Sequence, residues 1–179
     1  MTGTAARGGD ADPPAGPHIV VVGLMGAGKT TVGVLLAGRL KVPFVDNDEA
    51  LRADVGTTAA LYQERHGRAA LHRAELQALR RALSAEGASV IAAAASVADT
   101  APGRALLAEA NVVWLDVSAA ERAARRTNDD GHRPPDPGPE DESRRRELAA
   151  VADVIVDEPS PPDDIAASLD PWASRLLRG

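Results

Sequence analysis

Apolar positions along this chain recur in two alternating rhythms. Short runs rich in β-branched and other apolar residues, His18 to Val22, Val42 to Val45, Ser89 to Ala95, Asn111 to Val117 and Val154 to Val156, read as strands. Between the first two, Val32, Leu35, Leu36 and Leu40 fall at helical spacing and predict a helix over 29–40. Helical patterns continue from Glu49 to about Ala85, broken near Gly56 and Gly67, and the closing stretch predicts a pair of helices, Ile165 to Leu169 and Trp172 to Leu177. Strands that alternate with helices bury both faces of a sheet. The expected fold is therefore three-layer α/β/α around a five-stranded, mainly parallel sheet, with functional loops beyond the carboxyl ends of the strands.

Two segments break the pattern. Residues 1–17, rich in Gly, Ala, Pro and Asp, read as a disordered leader before a single domain over 18–179. Residues 128–142, NDDGHRPPDPGPEDE, are too dense in Pro, Gly and charge for regular structure and read as a mobile lid between helices. The core must be aliphatic, because 44% of the chain is apolar but only one Phe, one Tyr and two Trp are present. A net charge of -6 opposes a polyanionic nucleic-acid partner. The absence of cysteine excludes disulfides, thiolate catalysis and Cys-ligated zinc. The early run Ile19 to Val22 is far shorter than the roughly 20 apolar residues that span a bilayer. The expectation is a cytoplasmic monomer with neither nucleic-acid nor membrane partner.

The chemistry concentrates after the first strand. Gly23-Leu24-Met25-Gly26-Ala27-Gly28-Lys29-Thr30 satisfies G-x-x-x-x-G-K-[ST] between a strand and a helix, the context in which that motif binds nucleotide phosphates. Glycines let the backbone approach phosphate, successive N–H groups form an anion nest, and the helix N-terminus adds positive potential. Lys29 is expected at the β- and γ-phosphates. Thr30 offers a hydroxyl to Mg²⁺, and Thr31, one position deeper, offers one to the phosphates. Asp46 and Asp48 leave the second strand, where alternation would turn both to one side: one can hold hydrated Mg²⁺ while the other orients an acceptor hydroxyl. The plainer alternative makes them an N-cap and a first-turn acid of the next helix.

These residues resemble the shikimate kinases, small P-loop kinases of the nucleoside monophosphate kinase type that phosphorylate the 3-hydroxyl of shikimate from ATP. The resemblance spans most of the chain and is carried by GLMGAGKTTVGVLLAGRL, by P-F-V-D-N-D-E, by the segment GRAALHRAE and by the order of the remaining strands and lid. It implies that Lys29, Thr30 and Asp46 manage ATP and Mg²⁺ and that Asp48 contacts the acceptor hydroxyl as base or orienter. It also implies that Arg126 packs on adenine, otherwise a solvated helix end, and that Arg133 closes on the transferring phosphate, otherwise a loop charge.

The acceptor half departs from the family. Where those kinases read G-E-x-x-F-R-x-x-E and grip the substrate carboxylate with the arginine, this chain has Arg68, Leu71 and His72 in place of the acid, the aromatic and the arginine. Imidazole cannot reproduce the guanidinium fork, and Arg73 is rotated about 100° along the helix. The family's glycine triplet is Ala93-Ala94-Ala95, so Ala94 is expected to line a pocket narrowed by methyl groups. Arg144 takes the place of a second carboxylate-binding arginine, unless Arg144, Arg145 and Arg146 are a solvated face paired with Glu140, Asp141, Glu142 and Glu147. Three functions remain open: a shikimate kinase with an altered acceptor site, a kinase of another small hydroxylated acceptor such as a cyclitol or sugar acid, and a nucleotide-binding regulator without transfer chemistry.

Overall fold

The computed structural model describes residues 16–126 and 139–178. Strands β1 (Ile19–Gly23), β2 (Phe44–Asp46), β3 (Val90–Ala94), β4 (Asn111–Leu115) and β5 (Val154–Val156) pair in the order β2-β3-β1-β4-β5, all in parallel. The helices are α1 (Lys29–Leu40), α2 (Asn47–Val55), α3 (Ala59–His66), α4 (Arg68–Leu83), α5 (Ala101–Ala108), α6 (Ala119–Arg126), α7 (Pro139–Val151) and α8 (Pro162–Leu176), with a 3-10 segment at Ala95–Asp99. The expected five-stranded α/β/α architecture is present.

Alternation along β1 shows how the sheet is covered. Ile19 and Val21 join the core under α1 and α8, with Val32, Leu36, Ile165 and Leu169. Val20 and Val22 face the opposite core, with Leu79, Leu107 and Leu148 from α4, α5 and α7. A strand buried on both faces has no polar side, which is why β1 reads as an unbroken apolar run. A third, smaller core of Leu51, Leu71 and Ala78 joins α2 to α4 beside the sheet. Among the described residues no helix is long and apolar enough to cross a membrane.

Several boundaries moved for identifiable reasons. The strand expected over Val42 to Val45 starts two residues later, because Lys41 takes a left-handed φ of 57° and Val42 N–H turns back to donate to the Ala37 carbonyl at 3.1 Å. The expected closing helix pair is one helix, α8: Ile165, Ala166, Leu169 and Ala173 form a continuous buried face, and the helix runs on through Pro171. Helix α7 begins at Pro139, so residues 139–142 of the expected irregular lid are helical, as suits a proline at the first helical position followed by acids. The rest of that lid lies outside the described residues, as does the leader up to residue 15. Gly16 belongs to the fold, where an added Cβ would sit 2.3 Å from the Gly87 carbonyl oxygen.

Gly103, in the first turn of α5, allows the 3-10 segment to lie close. A Cβ there would come within 1.8 Å of the Val97 carbonyl oxygen, a backbone atom that cannot swing aside. Gly103→Ala is expected to cost about 2 kcal/mol, overpacking outweighing the roughly 1 kcal/mol returned by helix propensity, which denaturant unfolding can measure.

Candidate active site

The loop after β1 is shaped for an anion. Gly26 and Gly28 adopt φ of 82° and 92°, left-handed values that side chains resist, and the Ala27 N–H closes the turn onto the Leu24 carbonyl at 3.0 Å. Gly28 is the N-cap of α1 and supplies no side-chain cap. The first amides of α1 therefore point out of the loop with the helix dipole behind them. At Gly23 a Cβ would lie 2.9 Å from the Leu115 carbonyl oxygen, so the loop seats directly against the end of β4. Met25 is exposed at the loop's tip.

Lys29 is the first residue of α1, half-buried where the helix leaves the loop. Loss of hydration drives its ammonium below the ordinary lysine value, and the charges of Asp48 and Asp46 oppose that shift. Thr30 Oγ1 donates to Asp46 Oδ2 at 3.0 Å, while Asp46 Oδ1 accepts from the Asp48 backbone N–H at 3.0 Å. Asp46 is the last residue of β2 and the N-cap of α2, and Asp48 lies in the first turn of that helix. The two are not alternate positions of one strand. As the N-cap of α2, Asp46 meets both the Thr30 hydroxyl and the Asp48 N–H, and the charges of both aspartates act on Lys29. Asp48 retains access to solvent, but the surrounding protein removes part of its hydration and raises its carboxyl above the ordinary value. Lys29 works against that rise and Asp46 adds to it. Thr31 is exposed one position further along α1.

On the other side of the loop, Leu115, Val117, Glu121, Val156, Pro159 and Ile165 line a recess beyond the ends of β4 and β5. Sequence reasoning missed this recess; its signal is the proline-rich turn that follows the fifth apolar run. Arg126 ends α6, whose Glu121 lines the recess, but the Arg126 side chain lies outside the described residues, as does all of Arg133.

The cluster where α4 and α7 meet the 3-10 segment holds the main surprise. Arg68, His72 and Glu75 are spaced along α4, and Ala94 ends β3 opposite them. Of the alanine triplet, Ala93 and Ala95 are buried in the sheet core and only Ala94 stays half-exposed. The methyl groups of Ala93 and Ala95 therefore help fill the core. Arg144 does not lie along a solvated face with its helix neighbours. Its Nε and Nη2 each donate at 2.7 Å to the two oxygens of Asp99, at the end of the 3-10 segment. Arg68 Nη2 donates to the same carboxylate at 3.2 Å, and His72 Nε2 lies 3.7 Å from it. His72 Nε2 is also 3.5 Å from Arg68 Nε, a contact available to the neutral imidazole, while the protonated ring pairs with Asp99. Arg145 crosses to Asp116 at 2.6 Å, and Arg73 is exposed.

Glu75 links this cluster to Asp48. It is buried, and its carboxylate accepts from Ser96 Oγ at 2.7 Å. Burial pushes its carboxyl up, the Ser96 hydrogen bond lowers it, and the charges of Asp48 and Asp99 add to the rise. Asn47, wholly buried between the two aspartates, donates through Nδ2 to the Glu75 carbonyl at 3.1 Å, which ties α2 to α4. Its Oδ1 has no hydrogen-bond partner among the described residues. Neither Asp99 nor Ser96 stood out in the sequence. Their signal was an acid and a hydroxyl just past the end of the third strand.

With that geometry in view, the likeness to known proteins is informative. The family model "Shikimate kinase" matches residues 25–168. The chain belongs to the shikimate kinase family. It is 38% identical over 135 residues to a shikimate kinase of Symbiobacterium thermophilum, covering 75% of this chain and 78% of that one. With a shikimate kinase of Stenotrophomonas maltophilia it shares 36% over 160 residues, 88% and 86% of the two chains. The shikimate kinase from Acinetobacter baumannii in complex with shikimate superposes with a TM-score of 0.73 at 28% identity, covering 89% of this chain and 94% of that one. Shikimate kinases are ATP-binding phosphotransferases with an alcohol group as acceptor, and so is this protein. Its fold is that of the P-loop kinases.

Proposed function

We propose that the protein transfers the γ-phosphoryl group of MgATP to a hydroxyl of shikimate or a related small cyclic polyol. The observation that carries this reading is the convergence of Lys29, Thr30, Asp46 and Asp48 on the glycine loop. Three oxygen-bearing side chains and one ammonium meet where a bound γ-phosphate would face an acceptor.

In this reading the amides from Met25 to Thr31 wrap the phosphates and Lys29 bridges the β- and γ-phosphates, following charge that spreads onto the γ-oxygens during transfer. Thr30 and Asp46 supply hard oxygens at 3.0 Å from each other, a fit to Mg²⁺, which takes one or two protein oxygens and completes its shell with phosphate and water. Bound there, the cation would neutralise charge on the phosphates. Asp48 accepts a hydrogen bond from the attacking hydroxyl and takes its proton as the bond to phosphorus forms. The recess of Leu115, Val156 and Pro159 is assigned to the adenine base, and Arg126 to packing on it. Arg133 is assigned the role of pairing with the transferring group, which would exclude water from it. The lack of cysteine suits a reducing compartment such as the cytoplasm.

The test is ADP release from MgATP in a coupled assay, with and without shikimate, myo-inositol and gluconate. Release that depends on shikimate or myo-inositol supports the reading, release with gluconate alone points to a sugar-acid kinase of the same fold, and acceptor-independent or absent release removes it. Thr30→Val, which deletes the hydroxyl and keeps the shape, is expected to raise the Mg²⁺ concentration for half-maximal activity about tenfold, as a Mg²⁺ titration would show.

A further inference from the structure

The two aspartates of the site flank a fully buried amide, Asn47, where β2 passes into α2. Asp46 is held twice: its Oδ2 accepts from the Thr30 hydroxyl and its Oδ1 from the Asp48 N–H, each at 3.0 Å. Among the described residues no hydrogen bond reaches the Asp48 carboxylate, which Lys29 and Asp46 act on through charge. The aim of Asp48 therefore follows the seat of α2.

That seat has an apolar part and a polar part. The buried residues of α2, Asn47 and Leu51, lie one turn apart on one face. Leu51 packs with Leu71 and Ala78 of α4, and apolar contact of this kind has no preferred direction. Asn47 supplies one, donating through Nδ2 to the Glu75 carbonyl of α4 at 3.1 Å in the interior. A carbonyl can only accept, so it fixes which end of the amide faces α4. Oδ1 is left buried with no hydrogen-bond partner among the described residues, a desolvation cost that nothing offsets. An apolar side chain would seal the same face without that cost, so stability alone does not account for the amide. What it adds is an angle. Rotating α2 by about 10° about its axis would carry a group about 5 Å from that axis through roughly 1 Å. A displacement of that size at a catalytic group can lower a rate about 10²-fold.

The geometry points to Asn47 as a positioning residue for phosphoryl transfer: its bond to the Glu75 carbonyl fixes the rotation of α2 on α4 and so aims the Asp48 carboxylate. This rests on the kinase reading for what Asp48 meets. It goes beyond that reading by naming what holds Asp48 in place.

The test uses Asn47→Ala, which removes the amide, and Asn47→Leu, which removes it and fills the space, each alone and combined with Asp48→Asn. Either suffices if the other fails to fold, and kinetics are read well below the melting temperature of each variant. A single variant is expected to lose roughly tenfold to 10²-fold in kcat while the KM for MgATP stays within about threefold. On the Asp48→Asn background the further loss is expected to be less than about twofold, because a carboxylate that is gone cannot be misaimed. A folded single variant that keeps kcat within about twofold of the wild type overturns the proposal. So does a full loss repeated on Asp48→Asn, the mark of a merely structural role. Carbon NMR titration of the Asp48 carboxyl needs no turnover: in the variants its midpoint is expected to fall from the raised value toward the ordinary one, as a looser seat admits water. If no protein, wild type included, releases ADP with any acceptor, a midpoint that moves supports the role of Asn47 and removes the kinase reading alone, and a midpoint that stays removes both.

Discussion

Lys29→Ala is expected to lower acceptor-dependent phosphoryl transfer by about 10³-fold, close to 4 kcal/mol of transition-state stabilisation. The ammonium is the one cationic side chain that the described structure sets at the start of α1, beside amides carrying only partial charge. It is also partly desolvated, held below its ordinary value against the pull of Asp48 and Asp46. A charge kept there against its own hydration has more effect on developing phosphate charge than one in bulk water. The loss should fall on kcat more than on the acceptor KM, because the γ-oxygens gain charge only as transfer proceeds. Steady-state kinetics at saturating MgATP would show the split. An equal loss in both would place Lys29 in ground-state binding.

Asp48→Asn is expected to lower kcat by roughly 10²- to 10⁴-fold, the range of a positioned general base, with little change in MgATP binding. Its effect on stability has the opposite sign. The folded carboxyl is raised above its ordinary value, so its favourable contribution is complete below that ordinary value and fades as pH rises through the folded one. Near neutrality the ionised form is held against partial desolvation and the neighbouring Asp46 charge. Asparagine removes that burden, and thermal unfolding at pH 7 should show a melting temperature equal to or above the wild type's. The same shift sets the acid limb of the wild-type kcat/KM profile above the ordinary aspartate range. A variant that melted lower and kept its activity would make Asp48 a structural first-turn acid.

Asp99 titrates with the other sign. Its folded carboxyl is depressed, so the stability contributed by the Arg144 pair is present above the ordinary carboxyl value and is lost as pH falls through the folded one.

Much of the nucleotide end was legible because its chemistry is local. A phosphate loop needs glycine where φ is positive, as at Gly26 and Gly28, and a lysine at the first turn of the next helix, so the requirement is written within eight consecutive residues, Gly23 to Thr30. The sheet was legible for a similar reason. Strands buried on both faces, such as Ile19–Gly23 and Asn111–Leu115, have no room for polar residues and stand out as apolar runs.

The cluster around Asp99 is built from residues far apart in the chain. Asp99 meets Arg144 across 45 positions and Arg68 across 31, and no local pattern records those distances. Helix α8 ran through Pro171 because its buried face outweighed a local breaker. Nothing local to the alanine triplet said that Ala93, in β3, and Ala95, at the start of the 3-10 segment, would both be buried in the core. The sequence by itself determined the α/β layers and the phosphate loop, where backbone conformation and periodicity are short-range properties. Only the tertiary structure decided which charge meets which, because an ion pair depends on the distance between side chains in space and carries no signature in their spacing along the chain.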